Sequence, residues 1–504
     1  MPNHLFSSLV PPERARGQQC LIASDGRRFT FGEVDQISAR YASALASSGV
    51  RQGDRVAVQV EKSPEALFLY LGCLRAGAAF LPLNTAYTLV EIEYFLRDSE
   101  PAVVVGRPEQ ADALETIARA CGVKRVETLG ADGSGSMPAR AETQSGDWTD
   151  VECGPDNLAT ILYTSGTTGR SKGAMLSHEN LRSNAQALVE TWRFTLDDVL
   201  IHALPLFHAH GLFVATNVTL MAGAGMIFLS KFDPGGVLAW MPEASVLMGV
   251  PTFYTRLLQH PGLTREATAR MRLFVSGSAP LLADTHRAFQ ERTGHAILER
   301  YGMTETSMNT SNPYDGDRVP GSVGLPLPGV EVRICDPETG RELASDEIGA
   351  IEVRGPNVFA SYWRMPEKTR AEFRRDGFFI TGDLGKIDGR GYVWILGRGK
   401  DLVISGGYNV YPKEVELEID GLPGVLESAV IGVPHPDFGE AVTAVVVLEP
   451  DASLREAEII EALRGRLANY KLPKRVIIAN ELPRNTMAKV QKNVLREQHK
   501  ELFA

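Results

Sequence analysis

From residue 55 to residue 276, short apolar runs alternate with segments of helical period, and no other feature restricts the fold as strongly. Residues 55–60 (RVAVQV) read as a buried strand, and Pro64–Arg75 as a helix whose Leu67, Leu71 and Leu74 share one face. The runs 79–83, 102–105, 199–204, 226–229 and 272–276 continue the strand rhythm. Strands alternating with helices predict parallel sheets covered on both faces, a doubly wound α/β fold.

The texture changes after Gly324. Runs at 330–334, 349–353 and 391–396 are short and bounded by turn residues such as Asp388 and Gly389, which predicts an antiparallel, β-barrel-like subdomain. Residues 130–150, polar and rich in Gly and Ser, read as a surface connection. Toward the end, 428–433 and 442–448 read as strands, and Ser453 with Glu456 as a capping box opening a helix to about Leu467. The expected organisation is a large domain over 1–397, a hinge at 398–400 centred on Lys400, and a small mobile α+β domain over 401–504. A chain of 504 residues is in any case too long for one hydrophobic core.

Charge and cysteine usage exclude several functions. A net charge of −10, with no block of five basic residues, lacks the footprint of a nucleic-acid binder. The five cysteines are odd in number and scattered, without CxxC spacing, and imply reduced thiols in a cytoplasmic protein. No secretory signal is expected in residues 1–14. Residues 211–230 carry no charge, but Thr216, Asn217, Thr219 and the Ala222–Gly225 break predict a buried helix, a turn and a core strand rather than a membrane span.

The densest motif runs from Tyr163 to Gly173 (YTSGTTGRSKG), directly after an apolar strand. Gly166 and Gly169 permit close backbone approach, Thr164, Ser165, Thr167 and Thr168 supply hydroxyls, and Lys172 adds a positive charge. That inventory suits a polyphosphate, although the spacing differs from the common P-loop.

This run resembles the phosphate-binding signature of the ANL superfamily of adenylate-forming enzymes, and further motifs follow in that superfamily's order. They are Tyr301, Gly302, Met303, Thr304 and Glu305 (YGMTE), Thr381-Gly382-Asp383, Gly397-Arg398, Gly406-Gly407, and Pro483 through Lys489. The resemblance implies ATP and Mg²⁺ as cofactors and coenzyme A as co-substrate. It assigns ATP or AMP to Thr164–Gly169, Lys172, Ser278, Ala279, Pro280, Glu299, Tyr301, Gly302, Met303, Asp383 and Arg398. Glu305 is the expected Mg²⁺ ligand, Thr304 a donor to the α-phosphate, and Lys489 the cation at the adenylation step. Ser405, Gly406 and Gly407 are expected along the thiol path. Similar synthetases are acetylated at the lysine corresponding to Lys489, which implies a lysine acetyltransferase and deacetylase as partners. Two positions depart from the pattern: Ala488 replaces a usual glycine and Ser171 a common proline.

Many members of the superfamily carry glycine where this chain has Arg300. A guanidinium in an acyl pocket needs an anion, which a second substrate carboxylate supplies; pairing with an internal acid such as Glu299 is the alternative. Ser278 and His208 are further candidate donors, with Ala209 and Met308 lining the acyl pocket. The segments 299–306 and 204–211 are similar to malonyl-CoA synthetases, implying ATP + malonate + CoA → malonyl-CoA + AMP + pyrophosphate; Ala209, where those relatives often carry threonine, predicts that methylmalonate is accepted as well. A short- or medium-chain monocarboxylate ligase is the rival within the enzyme class. A non-catalytic nucleotide-binding protein is the rival outside it.

Overall fold

The computed structural model describes residues 3–11, 14–164, 171–406, 408–485 and 489–503. The chain divides into two compact units, 1–331 with 353–379, and 332–352 with 380–504. The expected boundary at 397–400 falls inside the second unit.

Two mainly parallel sheets build the first unit. The seven-stranded sheet runs, in spatial order, Ser361–Tyr362, Lys172–Ser177, Leu158–Thr164, Ala79–Pro82, Arg55–Val58, Val103–Gly106 and Arg125–Thr128. Its last five strands are parallel, whereas Leu158–Thr164 and Lys172–Ser177 form an antiparallel pair that brings Thr164 opposite Lys172. The nine-stranded sheet has a parallel centre of Leu298–Met303, Leu273–Ser276, Val246–Gly249, Val199–His202, Gly225–Phe228 and Gln19–Ala23. Their apolar runs are buried on both faces, as covered parallel strands require.

Helix Pro64–Arg75 is buried at every position, which accounts for its near-continuous apolar sequence. Ser63 caps it by accepting from Ala66 N–H, and Pro64 takes the first helical position. The uncharged stretch 211–230 resolves into wide turns over His210–Thr216, helix Asn217–Ala222, Gly223 at φ 75°, and strand Gly225–Phe228. No described helix is long and apolar enough to cross a membrane.

The second unit carries a four-stranded sheet in the order Glu331–Cys335, Gly349–Arg354, Phe379–Ile387 and Val393–Arg398. This sheet stands where a barrel-like subdomain is expected, and no closed barrel forms among the described residues. A second sheet orders Tyr408–Val410, Val403–Ser405, Gly439–Leu448 and Val425–His435, with Arg475–Ala479 added parallel to Gly439–Leu448. Val403, Val430, Val442, Val446 and Ile459 fill the core beneath it.

Two local expectations fail. Residues 130–150 contain helix Ser136–Glu142, which buries Met137 and Ala141 despite the polar composition around it. The late helix spans Glu456–Leu463; Glu458 accepts from Arg455 N–H at 2.8 Å at its start, in place of the expected Ser453–Glu456 box, and it stops where Arg464 turns extended at ψ 134°.

Asp420 ends helix Pro412–Asp420, where it accepts from Ser428 Oγ at 2.6 Å, and burial pushes its carboxyl up to about 6 despite Lys413 at 3.9 Å. An acid whose folded pKa lies above its unfolded value adds stability as pH falls. Asp420→Asn should therefore be more stable than the natural chain at pH 7. In thermal unfolding, that advantage should shrink as pH falls from about 7 to about 4; an advantage constant with pH would refute the assignment.

Candidate active site

Strand Leu298–Met303 organises the site, because alternation along it sends neighbouring side chains to opposite faces. Glu299 accepts from Gly321 N–H at 3.1 Å and faces His286 Nδ1 at 3.6 Å. Arg300 takes the other face, where it is 4% exposed. The internal pairing of Arg300 with Glu299 is thus not what the structure forms.

The guanidinium packs over Gly277, where a Cβ would lie 2.4 Å from Arg300 Cζ. Its Nε and Nη2 are buried without a hydrogen-bond partner, and burial pulls its pKa down to about 9. Leaving such a group unpaired costs several kcal/mol unless an anion arrives.

The other candidate donors collect at the ends of the parallel strands, where open α/β sheets bind ligands. Ser278, held at φ 72°, follows strand Leu273–Ser276, with Ala279 half-buried and Pro280 exposed beyond it. Ser278 Oγ lies 3.3 Å from His210 Nδ1. His210, which sequence reasoning passed over in favour of His208, is buried, and its Nε2 has no partner. Burial first and the Arg300 charge second hold its pKa well below the usual value, so the ring is neutral. His208 lies half-buried, and its Nδ1 accepts from His210 N–H at 3.2 Å. The spacing His208-Ala209-His210 was the available signal. Only the wide turns of His210–Thr216 decide which ring meets Ser278. Ala209 and Met308 are both buried, and a Cβ on Gly302 would meet Met308 Cε at 2.5 Å.

At the phosphate end, Ser165, Gly166, Thr167, Thr168 and Gly169 lie outside the described residues, as do Gly407 and Ala488. Lys172 is described, and its ammonium already has partners. Its Nζ lies 3.2 Å from Glu372 Oε1 and 4.1 Å from the centre of the Tyr362 ring. The Tyr362 hydroxyl sits 2.6 Å from Glu372 Oε2 and 2.9 Å from Glu305 Oε1. Tyr362 and Glu372, absent from the sequence expectations, thus join Lys172 to Glu305. Glu305 and Thr304 occupy the turn between Leu298–Met303 and Ser307–Ser311. A Cβ at Gly302 would come 1.9 Å from Ser307 O, so the turn needs glycine there. Tyr301 is buried on the same strand, and Met303 is half-buried at its end.

No group of three or more metal-ligating side chains occurs among the described residues. Mg²⁺ is commonly held by one or two carboxylates together with nucleotide phosphates, and the buried Glu305 carboxylate fits that role. When bound, the ion would neutralise phosphate charge.

In the second unit, Asp383 and Arg398 face each other across an antiparallel pair, with Arg398 Nε 2.8 Å from Asp383 Oδ1. Lys489 is exposed, and Asp383, Arg398, Lys400 and Asp401 are its charged neighbours. Desolvation, then the Arg398 charge, lower its pKa. Lys400 lies in the single turn Gly399–Asp401, which is anchored through Asp401 to Arg496 at 2.5 Å. Ser405 is buried, and Gly406 sits at φ 58°, in the left-handed region.

The AMP-binding enzyme family matches residues 11–363, and the AMP-binding enzyme C-terminal domain matches 414–489. The chain belongs to the AMP-binding enzyme family. This AMP-binding enzyme is similar to ATP-bound MatB from Rhodopseudomonas palustris, at 62% identity and a TM-score of 0.98, each chain covering 100% of the other. It is 38% identical to a feruloyl-CoA synthase of Amycolatopsis sp., over 96% of this chain and 97% of the relative. The mitochondrial malonate–CoA ligase of Bos taurus is 36% identical, over 96% of this chain and 89% of the relative.

Tyr362→Phe keeps the ring beside Lys172 but removes the hydroxyl between the two carboxylates. In steady-state assays of this AMP-binding enzyme it should raise the ATP KM about three- to tenfold, the worth of one hydrogen bond, and leave the KM of the acid unchanged. Equal rises in both would contradict the placement of Tyr362 at the phosphate end.

Proposed function

We propose that the chain is an AMP-forming acid–thiol ligase that activates malonate, releasing pyrophosphate, and passes the malonyl group to coenzyme A. The observation that carries the substrate is Arg300, a buried cation with two unpartnered nitrogens. A dicarboxylic acid presents one carboxylate to ATP and the other to this guanidinium. A monocarboxylic acyl tail would leave the charge buried and unpaired. His210 is neutral and Ser278 is a hydroxyl, so neither competes with Arg300 for the anion; their mutual contact at 3.3 Å leaves one hydrogen of the pair free to donate to it.

Adenylation requires in-line attack of a carboxylate oxygen on the α-phosphate, with no protein nucleophile; catalysis is positioning and charge stabilisation. Lys172 and Thr304 serve the phosphates, Glu305 would hold Mg²⁺, Asp383 and Arg398 serve the ribose, and Lys489 supplies the cation at the reacting oxygens. Lys400 acts as the hinge for the thiol step, with Ser405 and Gly406 along the thiol path.

A pyrophosphate-release panel of malonate against butyrate, with coenzyme A, tests the substrate. Malonate should be used and butyrate poorly. Arg300→Ala should cut kcat/KM for malonate roughly 10- to 100-fold, the worth of a charged hydrogen bond, with little effect on butyrate. Equal losses on both acids would overturn the reading.

Ala209, where similar malonyl-CoA synthetases often carry threonine, leaves room for a substituent on the substrate α-carbon. Methylmalonate should therefore be turned over measurably, and Ala209→Thr should reduce its use more than that of malonate. A 2-methyl group that abolishes turnover while malonate reacts well would rule this out.

A further inference from the structure

Lys62 is buried between the two sheets of the first unit and has no carboxylate partner among the described residues. It lies in the connection from strand Arg55–Val58 of one sheet to helix Pro64–Arg75, yet its Nζ reaches the last residue of a strand in the other sheet. There it is 2.8 Å from His202 Nδ1 and 2.7 Å from His202 O, with the Phe228 ring 4.2 Å away. An interior lysine whose polar contacts are confined to one histidine is an expensive arrangement for packing alone.

The far side of that histidine shows what the arrangement accomplishes. His202 Nε2 is 2.9 Å from Gly211 O and 3.1 Å from Thr216 Oγ1, and Thr216 Oγ1 itself donates to Gly211 O at 2.9 Å. An imidazole that accepts at Nδ1 must carry its hydrogen on Nε2. Because Lys62 donates to Nδ1, His202 is fixed as a donor to the Gly211 carbonyl. Gly211 lies in the first of the wide turns of His210–Thr216, so close to residue 205 that a Cβ would sit 2.0 Å from Pro205 O. The residue before it is His210, whose Nδ1 meets Ser278, whose Nε2 is buried without a partner, and whose ring feels the Arg300 charge.

We propose that Lys62 and His202 are positioning residues for the acid site: Lys62 selects the His202 tautomer that holds the Gly211 carbonyl, and so sets His210 against Ser278. Neither touches substrate. Burial holds both below their usual pKa, consistent with a neutral imidazole. The proposal rests on the malonate reading above.

Steady-state kinetics of Lys62→Met, His202→Gln, His202→Asn and the Lys62→Met/His202→Gln double variant test it, with thermal unfolding recorded for each. Glutamine places an amide nitrogen near Nε2 and keeps the donor, whereas asparagine places its oxygen near Nδ1 and loses the donor. Lys62→Met and His202→Asn should each raise the malonate KM about tenfold, with ATP KM and kcat within about twofold of the natural chain, as expected for one lost hydrogen bond. His202→Gln should stay near the natural value, and adding Lys62→Met to it should change the malonate KM little, because an amide needs no tautomer selection. Thr216→Val, which removes only the second donor to Gly211 O, should raise the malonate KM in the same direction. Equal effects of the asparagine and glutamine variants, an undiminished Lys62→Met effect in the glutamine background, or parallel rises in malonate and ATP KM would overturn the proposal. An Arg300→Ala variant with unchanged malonate KM would overturn the underlying substrate reading instead.

Discussion

A cation held inside the protein without a counter-charge sets the terms for everything around it. Arg300 is fully enclosed, two of its nitrogens have no partner, and the nearest acid in sequence, Glu299, points to the opposite face of the strand. Desolvating a guanidinium in this way is unfavourable by several kcal/mol, and no described residue returns that energy as a counter-charge. The surroundings keep the charge unshared. His210 is neutral, Ser278 is a hydroxyl, and Gly277 contributes no side chain. Binding free energy is thereby reserved for a ligand with an anion at the right depth, which makes the site selective as well as adhesive.

The phosphate end follows the opposite rule. Lys172 is paired with Glu372, and Tyr362 bridges Glu372 and Glu305. These charges are oriented before any nucleotide arrives, as a preorganised polar environment requires. The two ends therefore divide the work. In the proposed function the phosphate end would receive the nucleotide, and the acid end, left unsatisfied, would be completed by the far carboxylate of a diacid.

The sequence made the parallel architecture legible because each buried strand is a short apolar run and each covering helix keeps its own period. Helix Pro64–Arg75 matches its expected limits, since Ser63, Pro64 and the apolar run all agree. Where local signals compete, reading fails. Ser453 and Glu456 have capping-box spacing, but the bond at the helix start runs from Arg455 N–H to Glu458. The helix within 130–150 is hidden by its glycines and serines. In the site, Arg300 and Glu305 stand out by residue type within a motif. His210, Tyr362, Glu372 and Lys62 could not be found that way, because their roles come from contacts across 57 to 200 residues of chain. Lys62 looks like an ordinary surface lysine in sequence, and only the meeting of two sheets buries it.

The bare backbone at Gly277 also bears on how such an enzyme could change its diet over evolutionary time. A side chain there would have to push the Arg300 guanidinium aside, so changes at the two positions are coupled. A lineage moving toward acids with plain hydrocarbon tails would have to surrender the arginine first, and only afterwards could a residue grow at 277 to fill the vacated space. Volume favours that order of steps, because the reverse route passes through a protein whose buried charge has been displaced.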